Sequence, residues 1–150
     1  MTTLFAFLHH VAAFALAAAL AMELVLVRGE LTEATVRKIA RADLAVGVAA
    51  MLLLAVGLAR VFLYEKGAQY YFHSWPFIGK LSLFVLLALL SIYPTMRFIS
   101  WGKALRLGRP LQVQPGTLRA LRMIIHAELA GFVLILLFAA MMARGVGFFG

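Results

Sequence analysis

Four apolar stretches, at about residues 4–27, 43–63, 77–97 and 118–143, are separated by short segments that hold most of the charge. At a rise of about 1.5 Å per residue, each is long enough to match a hydrocarbon core about 30 Å thick. The chain has 150 residues, 65% hydrophobic and 13% charged. Soluble domains are about half apolar and about a quarter charged, so this composition belongs to a protein whose solvent is lipid. Backbone polar groups in lipid must be satisfied within the segment itself, which makes each stretch a helix. The sequence therefore predicts an all-α protein, a four-helix transmembrane bundle forming one integral-membrane domain over residues 1–150.

Charge fixes the expected orientation. Arg28, Arg37, Lys38 and Arg41 lie in or beside the first loop, and Arg97, Lys103, Arg106, Arg109, Arg119 and Arg122 lie in or beside the third. The second loop has Lys66, with Arg60 and Lys80 at its edges. The positive-inside rule places loops one and three in the cytoplasm, with both termini and loop two on the non-cytoplasmic face of a bacterial inner membrane. The formal net charge of +8 comes from basic residues between spans, with no patch of interleaved aromatics, so the expected partner is the bilayer and not nucleic acid. The absence of cysteine excludes disulfides, thiolate metal sites and thioether-linked haem. No basic n-region precedes the first apolar run, and that run exceeds a signal-peptide core, so cleavage is not expected.

Local signals refine the outline. Thr32 is positioned to cap the helix leading into span two, with Glu33 favourable in its first turn. Loop two, YEKGAQYYFHSWPFI, is dense in Tyr64, Tyr70, Tyr71, Phe72 and Trp75, which reads as an aromatic belt at the interface, with His73 inside it. Pro94 removes one backbone bond and is expected to kink or end the third helix. GRPLQVQPGT is the one irregular stretch, and Pro115, Gly116 and Thr117 mark the start of span four.

Ionisable residues inside spans are costly and tend to mark a site or an interhelical pair, so their depth is informative. Counting from span centres, His10 lies about 8 Å and Lys80 about 10 Å outward of the midplane. Arg60 and Arg144 lie further out on the same side, whereas Glu23, Asp43, His126 and Glu128 fall in the inner half. His10 and His126 then differ in depth by about 15 Å. They cannot both ligate one haem iron, whose ligands sit about 2 Å from it. His9 and His10 are about 100° apart on one helix, so one faces the bundle and the other lipid or the interface; the sequence leaves open which.

Each of these residues also has a plainer role. Lys80, Arg60 and Arg144 can snorkel, Glu23 and Glu128 can pair with Arg28, Arg41 or Arg122, and His126 can bridge helices. A degenerate parallel repeat is a further reading, in which an offset of seventy aligns Phe14, Leu16, Ala18 and Leu20 with Phe84, Leu86, Ala88 and Leu90 and pairs His10 with Lys80.

At FLHHVAAF, ELVLVRG, LARVFLYEKGAQYYFHSWPFIGKLSLF, LLSIYPT and MARG, the chain resembles the bacterial membrane family known as domain of unknown function 2214. More distantly it resembles the four-helix membrane protoporphyrinogen oxidases and the copper-resistance D-type proteins. In the oxidases a first-helix histidine and a third-helix lysine are functional and haem b is bound. That resemblance implies roles for His10 (or His9) and Lys80, although Ile78 stands where the oxidases have a second histidine.

Three functions follow as expectations. The first is a tetrapyrrole-handling or redox protein with haem b in an outer site, His10 ligating the metal and His9, Lys80 and Arg60 contacting the cofactor. The second is a structural or accessory membrane subunit in which ionisable residues only set helix register. The third is a small transporter using Glu23 and Glu128, which with four spans per copy needs a homodimer. No residue is assigned a catalytic step, and whether the protein is an enzyme stays open.

Overall fold

The structure, a computed structural model, describes residues 2–64 and 68–149; Lys66 and the side chain of Tyr64, both used above, lie outside the described residues. Its long helices are α1 (Thr2–Arg28), α2 (Glu33–Ala59), α4 (Trp75–Arg106) and α5 (Pro115–Ala143), with a short α3 (Ala68–Phe72) between α2 and α4. All four long helices are long and apolar enough to cross a membrane. They extend beyond the apolar runs at the charged ends. Much of the expected first loop is helix, because Thr32 accepts a hydrogen bond from the Thr35 amide at 3.2 Å and starts α2 only a few residues after α1 ends. The Glu33–Arg37 ion pair supports that first turn.

Pro94 does not end α4, which continues to Arg106. Its ring is fully buried and its missing N–H costs one bond in a helix otherwise held by packing on both sides. Trp101, expected beyond the span, is thereby carried into the core.

Each long helix contacts two neighbours, giving the closed ring α1–α2–α4–α5 with α1 against α5. Contact is most extensive within the pairs α1–α2 and α4–α5. Both termini and α3 lie at one end, here the terminal end; the 29–32 and 107–114 connections form the basic end. Two apolar layers fill most of the interior, and a smaller cluster of Val61, Tyr71 and Phe77 closes the terminal end. One, towards the terminal end, joins Ala12, Leu16, Ala19 and Leu20 to Val46, Ala49, Leu53 and Phe132. Its alanines let α1 and α2 approach closely, which is how helices associate where lipid removes the hydrophobic drive. The other, at the basic end, joins Val27, Val36 and Ile39 to Phe98, Trp101, Leu121 and Ile125.

The end of α5 shapes what lies beside it. Gly145 takes φ +71°, with its amide bonding Met142 O and the Val146 amide bonding Met141 O at 3.0 Å. These paired bonds are a Schellman ending, which a residue with Cβ adopts only with strain. The chain then doubles back, so that Phe148 pairs with Ser74 in an antiparallel bridge and the Phe149 amide bonds His73 O at 2.8 Å. The ring of Phe148 stacks on Tyr70 at 4.7 Å. The aromatic residues of loop two are thus partly a seat for the C-terminal segment and not simply an interfacial belt.

Candidate functional site

The four long helices, the short α3 and the turn that follows α5 converge on a cleft of about 610 Å³ at the terminal end, lined among others by His9, His10, Arg60, Lys80 and Arg144. Every residue expected for the outer site is therefore on one wall or another of a single cavity. Residues 9 and 10 come from α1, Lys80 from the first turns of α4, and Arg144 from the residue that ends α5. Arg60 opens a π-helical turn, Arg60–Tyr64, that follows α2. Such turns re-aim side chains and recur at functional sites. Tyr70 and Tyr71 add phenol rings to the wall. None of the described residues lining the cleft is acidic, so its formal charge is that of three cations.

The structure resolves which histidine faces inward. His9 is half-buried against α2, where Gly57 leaves room for it: a Cβ at that position would lie 3.3 Å from His9 Cε1. His10 is exposed at the mouth of the cleft, and its Nδ1–H donates to Ala6 O at 2.6 Å, fixing the ring by a bond to its own helix. Lys80 Nζ stands 5.5 Å from the Phe77 ring centroid, in cation–π range. Outward snorkelling is not needed to account for its position.

The inner residues do not form one layer. His126 lies apart, donating through Nδ1 to Arg122 O at 2.6 Å and accepting at Nε2 from Arg28 at 2.8 Å. It ties the end of α1 to the start of α5, which is the helix-bridging role. The expected pairing of Glu23 or Glu128 with Arg28, Arg41 or Arg122 does not form. Arg28 serves His126, Arg122 reaches the Val27 carbonyl at 3.5 Å, and among the described residues the one ion pair is Glu33–Arg37.

Instead Glu23, Asp43 and Glu128 meet one another between the two apolar layers. Glu23 lies beside Asp43, and Glu128 is near both. Helix α4 supplies the hydroxyls: Thr95 Oγ1 donates to Asp43 Oδ1 at 2.8 Å and Ser91 bonds Glu128. Glu23 is 1% exposed and Glu128 4%, and Glu23 Oε1 and Glu128 Oε2 have no hydrogen-bond partner among the described residues. A polar band drawn from all four long helices thus crosses the bundle.

Sequence reading placed these carboxylates at similar depth but did not bring them together. The signal was register. Leu16, Leu20, Glu23 and Val27 step by three and four, as do Ile39, Asp43 and Val46, and Ile125, Glu128 and Phe132. Glu23 and Glu128 occupy core positions, and Asp43 stands half-buried beside the core residue Ala42, which is where residues that contact other helices stand.

The fold and its two polar regions define a four-helix membrane-protein class with ionisable residues held inside the bundle. Within that class, the chain belongs to the family described as predicted membrane protein (DUF2214), which it matches over residues 1–147. No curated protein and no solved structure matches it, so the more distant likeness to the oxidases and copper-resistance proteins finds no support in these comparisons.

Proposed function

We propose that the terminal-end cleft binds an amphipathic organic anion at the membrane surface, and that a tetrapyrrole with carboxylate side chains, haem b, is the member of that class it suits best. The observation that carries this reading is the lining: Arg60, Lys80 and Arg144 from three different elements beside two imidazoles, with no acid among the described lining residues. Guanidinium and ammonium groups recognise carboxylates through charge-assisted hydrogen bonds, and Arg does so in a planar fork. A volume of about 610 Å³ is in the range of pockets for organic ligands, roughly 300–1,000 Å³.

The donor set fits haem with one protein ligand. His10 is held through Nδ1–H by a backbone carbonyl, the arrangement usual for a ligating imidazole, which leaves Nε2 as its electron-pair donor. Every imidazole lining the cleft comes from α1, so the protein supplies a ligand from one helix only. His9 packs behind it against Gly57 as a positioning residue, while Arg60, Lys80 and Arg144 would take the propionates. Bound haem would supply one-electron chemistry, and the protein's part is to hold and orient it near the bilayer surface.

Titration of the purified protein with haemin tests this. A saturable Soret shift is expected; His10→Ala should abolish it, Lys80→Met should weaken retention about tenfold, the size of one lost polar contact of about 1.4 kcal/mol, and His126→Ala should leave it unchanged. No spectral change with the unaltered protein, or loss with His126→Ala but not His10→Ala, would sink the assignment.

A further inference from the structure

A second cavity of about 360 Å³ lies between α2 and α4; its lining begins at Leu54 and Phe84, about one helical turn beyond Gly57 and Lys80 of the cationic cleft, and runs on to the carboxylate band. Its rim is exposed and apolar, with Met51 on α2 68% and Leu89 on α4 60% exposed to the surroundings that the bilayer fills. Its floor is the buried pair Leu20 and Phe132, and Ser91 and Glu128 stand at its polar end. We infer that this groove binds a lipid-soluble organic cation, its apolar body between α2 and α4 and its charge against Glu128 and the Glu23–Asp43 pair.

Charge complementarity carries the argument. Three carboxyl groups from three helices share one interior, and among the described residues no Lys or Arg forms an ion pair with any of them. Glu128 keeps a second oxygen, Oε2, and Glu23 a first, Oε1, buried and unmatched by any hydrogen bond among the described residues. Unmatched acceptors in a low-dielectric interior are costly and point to a ligand that meets them.

The geometry selects the kind of cation. The three acids do not converge as a metal-ligating group among the described residues, which disfavours a small hard ion. The approach to Glu128 is apolar, so the occupant reaches it from the membrane with hydrocarbon or aromatic surface of its own. Gly47 contributes space: a Cβ built there meets nothing within 4 Å. It lies one turn from Asp43 on the groove side of α2.

Equilibrium binding of radiolabelled tetraphenylphosphonium to the purified protein in dodecyl maltoside micelles tests the inference. Saturable binding of one cation per chain is expected. Glu128→Gln should weaken it at least tenfold, and Gly47→Phe, which fills the groove and leaves every carboxyl in place, should do the same. Lys80→Met should leave it unchanged, which separates this groove from the terminal-end cleft. Thermal unfolding of each variant establishes that it is folded, and Glu23→Gln serves as a second acid variant if Glu128→Gln is not. Absence of saturable binding, equal binding by Glu128→Gln and Gly47→Phe, competition by tetraphenylborate as strong as by unlabelled tetraphenylphosphonium, or displacement by millimolar sodium would each overturn it.

Discussion

Glu23 illustrates how one residue's environment reverses a prediction. Were it paired with an arginine, Glu23→Gln would break a buried ion pair and cost several kcal/mol. Its neighbour is Asp43, another carboxyl. An amide at position 23 can donate an N–H to Asp43 and removes one potential like charge. Glu23→Gln is therefore expected to leave stability unchanged or raise it, by up to about 1 kcal/mol, as measured by denaturant unfolding in micelles; a loss above about 2 kcal/mol would restore the ion-pair reading. Thr95→Val tests the same band from the other side, because it keeps the shape and removes the donor to Asp43. Interhelical hydrogen bonds in membrane bundles contribute about 0.6 kcal/mol on average and up to about 1.7. A loss near the upper figure is expected, with Thr95→Ser restoring most of it.

At the scale of elements, the C-terminal segment gives the sharpest expectation. Gly147 has φ +81°, and a Cβ there would fall 2.2 Å from Trp75 Nε1, inside any van der Waals contact. Gly147→Ala should therefore dislodge residues 146–149 from α4, losing the Trp75 amide bond to Gly147 O. Strain in the left-handed region alone costs about 1–2 kcal/mol. Limited proteolysis should show earlier cleavage near the C-terminus. Gly102 in α4 is the opposite case: nothing lies within 4 Å of a Cβ there, so Gly102→Ala should stabilise by about 0.5–1 kcal/mol.

The same contrast shows what was legible in the residues. Apolar length announced four helices, Thr32 announced a start, and the cationic and imidazole residues of the terminal-end cleft were found because their depths could be counted. The seat for the C-terminal segment was not, since an aromatic loop at an interface looks alike whether it faces lipid or a returning chain. The facing of His9 over His10 lay in the same register as Glu23, since His9 leads to Ala12, Leu16, Leu20 and Glu23 by steps of three and four, but few polar residues mark the opposite face of so apolar a helix.

For the whole molecule, the ten Lys and Arg residues of the first and third loops sit at or near the basic end. By the positive-inside rule we propose that this end is cytoplasmic, and a periplasm-active reporter fused after Gly150 should be active. A cytoplasm-active reporter working there would invert the molecule in the membrane. Inversion would also move the cationic cleft to the other compartment, without altering either cavity's residues.

The unequal ring of helix contacts bears on how the protein leaves a bilayer under load. With α1–α2 and α4–α5 each joined more extensively than either is to the other, the molecule is two hairpins laid side by side. Taking out a whole hairpin leaves the other one paired, whereas taking out α2 alone would leave α1 with Glu23 stranded in hydrocarbon, where an ionisable group costs about 2.5–3.5 kcal/mol or more. Pulling on the C-terminus with a cantilever should therefore give two main rupture events, α5 with α4 first and then α2 with α1. Four evenly spaced ruptures, one per helix, would mean that the hairpins are not the mechanical units.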